Sequence, residues 1–316
     1  MNMGTEIGQP WQAIHRHLIE HHGLDLSRYK ESYLKRRLLV RMRALRLPGI
    51  EAYARYLRRH PEELGRLQKA LSIKVTGFFR NRACFAYLEE RVVPDLLRRS
   101  ASRRRRVTVW SAGCATGEEP YSLAALFAST LDRGVEPMSR SEASRVQVRI
   151  TATDVDEGAL ETARRATFPS RALLGSAPTD ATRHFEVRTD GTASPTDRLK
   201  RMVRFERESL LDPIGRDDLD LIVCRNVLIY FSLEHQERIL TRFASALAAG
   251  GYLVLGRVER LFGEARALFD VVSARDRVYR RLPDVADAAA SPAGDDEASG
   301  GGRPGAARLK EGFACA

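Results

Sequence analysis

The feature that most constrains the fold is a change of texture near residue 82, after which short β-branched runs alternate with longer helical stretches as far as about residue 282. Such alternation marks βαβ units and a mainly parallel sheet, a doubly wound α/β architecture. Strands are expected over 106–110, 146–152, 202–205, 219–224, 252–255 and 277–281. Helices are expected over 118–132, 156–165 and 233–248, the last closed by Gly250-Gly251. From Phe168 to Lys200 the pattern weakens into Pro, Ser, Thr, Asp and Gly around Asp190-Gly191, a hairpin signal, so residues 168–204 read as an inserted β-subdomain.

Ahead of this region the pattern is helical from Trp11 to Lys69. Ile14, Leu18 and Ile19 recur at helix spacing, Ser27 is placed to cap a helix over 28–46, and shorter helices follow over 51–59 and 61–70. The expected organisation is an all-α N-terminal domain over 1–75, the α/β domain over 76–283, and a tail over 284–316. That tail is so rich in Ala, Gly, Pro, Ser and Asp that it buries too little apolar surface to fold.

Charge is unevenly placed. Residues 1–82 carry 17 Lys/Arg against 7 Asp/Glu, almost the whole of the chain's formal +11. The helix over 28–46 puts Arg36, Arg37, Arg41 and Arg43 on a cationic side opposite an apolar one. Such a face attracts an acidic partner, whether nucleic acid, anionic lipid or an acidic protein helix; a merely solvated face is the alternative. No apolar run reaches the roughly 18 residues of a bilayer span, and the N-terminus lacks a signal-like core, so a cytoplasmic protein is expected. Cys84, Cys114, Cys224 and Cys315 are scattered, with no spacing that suggests a disulfide framework or a metal site.

Two segments carry chemistry. The first expected strand runs into Ala112-Gly113-Cys114-Ala115-Thr116-Gly117-Glu118-Glu119-Pro120-Tyr121, a glycine turn opening a helix. Small residues admit a ligand close to the backbone, while Glu118 and Glu119 at the helix start repel a pyrophosphate and suit a cation. S-adenosylmethionine, with its ammonium and sulfonium, matches better than a nicotinamide dinucleotide. The second expected strand ends in Thr151-Ala152-Thr153-Asp154-Val155-Asp156, and a carboxylate at that position holds ribose hydroxyls in doubly wound folds. Asp154 is the candidate; helix capping by Asp154 or Asp156 is the alternative.

Three blocks then make a family resemblance specific: Val75-Thr76-Gly77-Phe78-Phe79-Arg80, Trp110 to Ser122, and Cys224-Arg225-Asn226-Val227-Leu228-Ile229-Tyr230-Phe231. Together they resemble the signature segments of the CheR family, whose members methylate glutamates on bacterial chemoreceptors or related signalling proteins, and the likeness runs over about residues 10–282. The resemblance implies a class I S-adenosylmethionine-dependent methyltransferase sheet behind the helical domain, with S-adenosylhomocysteine as product and no metal. It implies cofactor contacts from Lys74, Thr76, Arg80, Gly113, Gly117, Glu118, Glu119, Asp154, Ser209, Leu210, Arg225 and Asn226, with Arg80 and Tyr230 linked to catalysis. It gives the cationic face of Arg36, Arg37, Arg41 and Arg43 a partner, the acidic helical methylation region of a receptor. The insertion resembles a subdomain that in some members docks a receptor's C-terminal peptide, and a monomer is expected.

The chain departs from the family pattern at Lys74, where Asn is frequent, at Gly77, where a larger residue is usual, at Ser209, where Asn is usual, and at Arg257, where His is common. Two other readings keep the same fold: a nucleic-acid methyltransferase served by the basic domain, and a non-catalytic adaptor that binds cofactor or receptor. The first lacks an Asn/Asp-Pro-Pro-Tyr motif and a basic surface interleaved with aromatics; the second must explain why Arg80 and Tyr230 are retained.

Overall fold

The computed structural model describes residues 8–22, 25–71, 76–102, 106–174 and 179–283, and the described residues as far as Leu282 form one compact unit. Lys74, Cys315 and the expected tail lie outside the described residues.

The N-terminal segment forms α1 (Gly8–His22), α2 (Glu31–Ala44), α3 (Ile50–Arg59) and α4 (Glu62–Leu71). Their apolar faces meet in a separate core of Ile14, Leu18, Leu34, Leu38, Tyr53, Leu57 and Leu67, whereas Ile19 remains exposed. The cap ahead of α2 differs from expectation. Asp25, not Ser27, supplies the oxygen, accepting the Ser27 N–H at 3.0 Å and opening a 3-10 turn at Leu26–Arg28.

A helical stretch unassigned from sequence follows: α5 (Arg82–Tyr87), a π-helical turn at Leu88–Val92 and α6 (Val93–Ser102). The α/β domain then runs through β1 (Arg106–Ala112), α7 (Glu118–Arg133), α8 (Arg140–Arg145), β2 (Gln147–Asp154) and α9 (Glu157–Arg165). The insertion contains β3 (Phe168–Pro169), α10 (Ser170–Leu174), α11 (Thr179–Thr182), β4 (Phe185–Val187), β5 (Thr192–Pro195) and α12 (Asp197–Met202). The chain returns through β6 (Val203–Arg207), β7 (Leu219–Cys224), α13 (Leu233–Ala246), β8 (Leu247–Leu255), β9 (Phe269–Ser273) and β10 (Val278–Arg281).

The main sheet has the order β6-β2-β1-β7-β8-β10-β9, parallel from β6 to β8, with β10 antiparallel to both of its neighbours. Strand order reverses between β1 and β7, and in such sheets ligands bind beyond the carboxyl ends of the strands at that point. The insertion forms its own sheet, β3-β5-β4, in which Gly191 at φ 82° turns β4 into β5. Two core clusters flank the main sheet, one around Phe85, Leu126 and Phe127, the other around Trp110, Phe243 and Leu240.

The end of α13 is a correction. The helix stops at Ala246, and Gly250-Gly251 falls inside β8, where the pairing shifts register between Leu219 and Leu221. Gly250 holds φ 75°, and a Cβ on Gly251 would sit 2.9 Å from the Leu219 carbonyl oxygen, so the pair forms an irregularity in a strand rather than a helix stop. No helix among the described residues is long and apolar enough to cross a membrane.

Candidate functional site

A cavity of about 420 Å³ opens at the switch point, and the helical domain forms one of its walls. This lies within the roughly 300–1,000 Å³ usual for small-molecule sites. Four chain segments bring the expected site residues to it.

The first is the turn after β1. Gly113, at φ 81°, and Cys114 both donate their N–H to the Thr153 carbonyl, at 2.8 and 2.9 Å, which folds the turn over the end of β2. A Cβ on Gly113 would meet the Val227 side chain at 2.5 Å, so glycine is required for close approach as well as for its backbone angle. Gly117, at φ 97°, packs instead against Ala163 of α9 and does not line the cavity. Glu119 does line it: its Oε1 accepts from the Ser111 hydroxyl at 2.9 Å and its Oε2 from Arg225 Nη1 at 3.3 Å. Glu118 lies behind the wall and accepts from the Thr116 hydroxyl at 2.7 Å. Burial raises the pKa of both carboxyls, with Arg225 and Ser111 opposing the shift at Glu119 and Thr116 opposing it at Glu118.

The second is the end of β2. Asp154 accepts the Ala115 N–H on Oδ2 and the Asp156 N–H on Oδ1, both at 2.9 Å, and it lines the cavity with Asp156. An acceptor-only carboxylate with two oxygens suits the two donor hydroxyls of a vicinal diol. Asp156 itself caps α9 through the Ala159 N–H at 2.9 Å. Burial raises the Asp154 pKa against these backbone hydrogen bonds.

The third is Thr76 to Arg80. Phe78 is wedged edge-on against Phe168 and Phe185 of the insertion, and Phe79 against Phe85, with both phenylalanines 1 % exposed. Phe79 donates its N–H to the Ser122 hydroxyl at 3.0 Å. Phe79 at φ 48° and Asn81 at φ 67° bring Arg80 round to the cavity, while the Arg80 carbonyl accepts from Arg225 Nη2.

The fourth is the loop after β7. Arg225, Asn226, Val227 and Tyr230 all reach the cavity. Arg225, whose side chain is only 3 % exposed, ties Glu119 to the Arg80 backbone and lies 5.2 Å over the Phe85 ring. Tyr230 packs on Tyr33, and its carbonyl accepts the Lys30 N–H at 2.9 Å. Burial raises the Tyr230 pKa, with Arg37 and Arg80 opposing that shift.

The structure thus brings Thr76, Arg80, Gly113, Glu119, Asp154, Arg225, Asn226 and Tyr230 to one cavity. Ser209 and Leu210 are not on its wall: Ser209 Oγ accepts the Leu211 N–H at 3.2 Å, and Leu210 is buried beside Trp110. Sequence reasoning missed Tyr29, Gln68 and Lys69, which line the cavity from the helical domain, and Arg207 at the end of β6. It also missed Glu259, whose carboxylate gathers backbone N–H groups beneath the loop after β7. Helical periodicity shows which face is apolar but not which helix will roof a distant strand end.

The proposed docking arginines divide. Arg36 and Arg43 are exposed, and Arg37 lies 5.6 Å over the Tyr33 ring. Arg41 turns inward: its Nε and Nη2 donate to the two oxygens of Glu63, each at 2.8 Å, and Glu63 is fully buried. Its place on a free cationic face is therefore corrected.

Two family models cover nearly the whole described chain: "CheR methyltransferase, all-alpha domain" over residues 10–72 and "CheR methyltransferase, SAM binding domain" over 74–278. A chemotaxis protein methyltransferase of Listeria monocytogenes is 34% identical over 243 residues, covering 77% of this chain and 87% of that one. Chemotaxis protein methyltransferase 2 of Pseudomonas aeruginosa is 33% identical over 257 residues, covering 79% and 86%. An uncharacterized 104.1 kDa protein of Rhodobacter capsulatus is 36% identical over 255 residues, and there the match spans 80% of this chain but only 26% of the longer protein.

Proposed function

The chain belongs to the CheR methyltransferase family, and from that premise we propose that it transfers a methyl group from S-adenosylmethionine to glutamate side chains of chemoreceptors or a related signalling protein. The products are glutamate methyl esters and S-adenosylhomocysteine, and the protein acts in the cytoplasm. The observation that carries this reading is the single cavity on which Arg80, Glu119, Asp154, Asn226 and Tyr230 converge from separate parts of the chain.

The residues fit the cofactor. Asp154 is an acceptor-only carboxylate on the cavity wall, suited to the ribose hydroxyls, and Glu119 is the buried carboxylate for the methionyl ammonium. Gly113 leaves the backbone open at the turn between them. When bound, S-adenosylmethionine supplies a methyl on a sulfonium, an electrophile that needs only an ionised nucleophile in line.

A glutamate acceptor has an ordinary pKa of about 4.3 and is already ionised near neutrality, so no general base is needed. The protein's task is alignment. Arg80 orients the acceptor carboxylate, Tyr230 shapes the position of the donor, and Arg225 fixes Arg80 relative to Glu119 by bonding the Arg80 carbonyl and the Glu119 carboxylate. Arg36, Arg37 and Arg43 on α2 meet the acidic helices of the partner.

The test is transfer of labelled methyl from S-adenosylmethionine to chemoreceptor-containing membranes, followed by alkaline release of methanol. Base-labile label on a receptor is the expected result. Absence of transfer despite measurable cofactor binding would leave an adaptor.

A further inference from the structure

Glu259 lies just beyond β8, outside the cavity wall, and is 4 % exposed. Its Oε2 accepts the N–H of Asn226 at 2.8 Å and of Gly256 at 2.6 Å. Its Oε1 accepts the N–H of Val227 at 2.9 Å and of Ile229 at 3.4 Å. Burying a carboxylate is expensive unless hydrogen bonds replace its water, and these backbone donors do so. All but the Gly256 N–H belong to the loop that presents Arg225, Asn226 and Tyr230 to the cavity.

The packing around the carboxylate is equally committed. A Cβ on Gly256 would come within 2.5 Å of Glu259 Oε2 and 2.7 Å of the Asn226 nitrogen. Asn226 holds φ 61°, a left-handed conformation that costs a non-glycine residue energy unless its surroundings impose it. At the other end the loop is pinned by the Lys30 N–H on the Tyr230 carbonyl, at 2.9 Å.

We propose that Glu259 is a positioning residue for methyl transfer: its carboxylate holds the Asn226–Ile229 backbone in the form that points Asn226 and Tyr230 at the reactants. The proposal rests on the methyltransferase reading above. A carboxylate suits the role because it is acceptor-only, whereas an amide of the same shape would turn an NH2 group toward N–H donors.

The test compares wild type with Glu259→Gln and Glu259→Asp at saturating S-adenosylmethionine and receptor membranes, with circular dichroism to select folded protein. In folded Glu259→Gln, kcat should fall about 10-fold or more, as expected when a buried charged hydrogen-bond partner is lost, and Glu259→Asp, which keeps the charge, should recover part of it. Folded Glu259→Gln with wild-type kcat, altered only in melting temperature, overturns the proposal. If neither variant folds, amide exchange in the wild-type protein decides. Protection of Asn226 and Val227 comparable to β7 is expected, and exchange at exposed-loop rates overturns it. Inactive wild-type protein would count against the methyltransferase reading itself, whereas active wild type with an equally active Glu259→Gln would count against the positioning role alone.

Discussion

The rings of Tyr33 and Tyr230 lie with centroids 4.8 Å apart, joining the helix that carries the cationic face to the loop that reaches the cavity. Tyr29 stacks on Phe231 at 5.3 Å beside them, and Ser232 donates its N–H to the Arg28 carbonyl at 2.9 Å. The start of α2 and the loop after β7 are therefore hydrogen-bonded like two short strands, so the helical domain helps to build the site it covers.

Tyr33 makes that coupling testable. Its hydroxyl donates to the Leu71 carbonyl, so Tyr33→Phe loses that hydrogen bond, about 1 kcal/mol of stability, together with the hydroxyl's interaction with Arg37, and keeps the ring against Tyr230. Tyr33→Leu also removes the ring contact. Methyl transfer should be near wild type in Tyr33→Phe and lower in Tyr33→Leu, measured on samples whose melting curves show both variants folded. Equal activity in the two would mean that the contact holds the domains without shaping the site.

Arg80 is held by its backbone through Arg225, while its side chain lines the cavity. Arg80→Ala should therefore leave that backbone contact in place and remove the group proposed to orient the acceptor. Transfer should drop about 100-fold, the scale of a misaligned reactant, with a much smaller change in S-adenosylhomocysteine affinity by calorimetry. Parallel loss of both would sink the assigned role.

Acid should separate binding from stability. Burial raises the pKa of Asp154 above 3.8 and of Glu119 above 4.5, and in the proposed roles both are ionised to hold a ribose and an ammonium. Cofactor affinity should therefore decline as pH falls, at a higher pH than ordinary carboxylates would dictate. Stability moves the other way for these groups: with the folded pKa above the unfolded one, their ionised forms oppose folding above the folded pKa, and protonation relieves that cost. Calorimetric titration of S-adenosylhomocysteine from about pH 8 to about pH 5 checks the first half, and melting curves of Asp154→Asn against wild type over the same range check the second. The variant should bind about 10- to 100-fold more weakly, the loss of one charged hydrogen-bonding partner.

How much could be read beforehand follows from the range of the interactions involved. The central strands were legible because Val107, Val109, Leu221, Val223 and Val254 are buried in short apolar runs bounded by turns. The edge strand β9 was not, since Val271 is 61% exposed and its segment shows no alternating pattern. Gly113 and Asp154 declared themselves through local turn chemistry, whereas Glu259 reaches the loop after β7 through donors 30 to 33 positions away. Lys69 likewise reaches the cavity only because α4 packs over it. Arg41 was misplaced on a free cationic face for the same reason: helical spacing puts it beside Arg37, but its partner Glu63 lies on another helix.

One helix, α2, carries cations in opposite surroundings, Arg41 paired inward and Arg36 and Arg43 exposed. The Arg41–Glu63 pair is bidentate, the Tyr53 hydroxyl donates to Glu63 at 3.1 Å, and Glu63 has no exposed surface. Arg41→Ala strands a buried carboxylate, which costs about 3 kcal/mol or more and on the order of 10 °C in melting temperature. Arg36 and Arg43 are exposed, so their replacement by Ala should leave the melting temperature nearly unchanged. If they meet an acidic partner, the Arg36→Ala/Arg43→Ala double variant should bind receptor membranes more weakly at low salt and approach wild type as salt screens the attraction. A double variant that binds as wild type does at every salt concentration would show that α2 is not the docking face, while its unchanged melting curve would still distinguish these exposed arginines from Arg41.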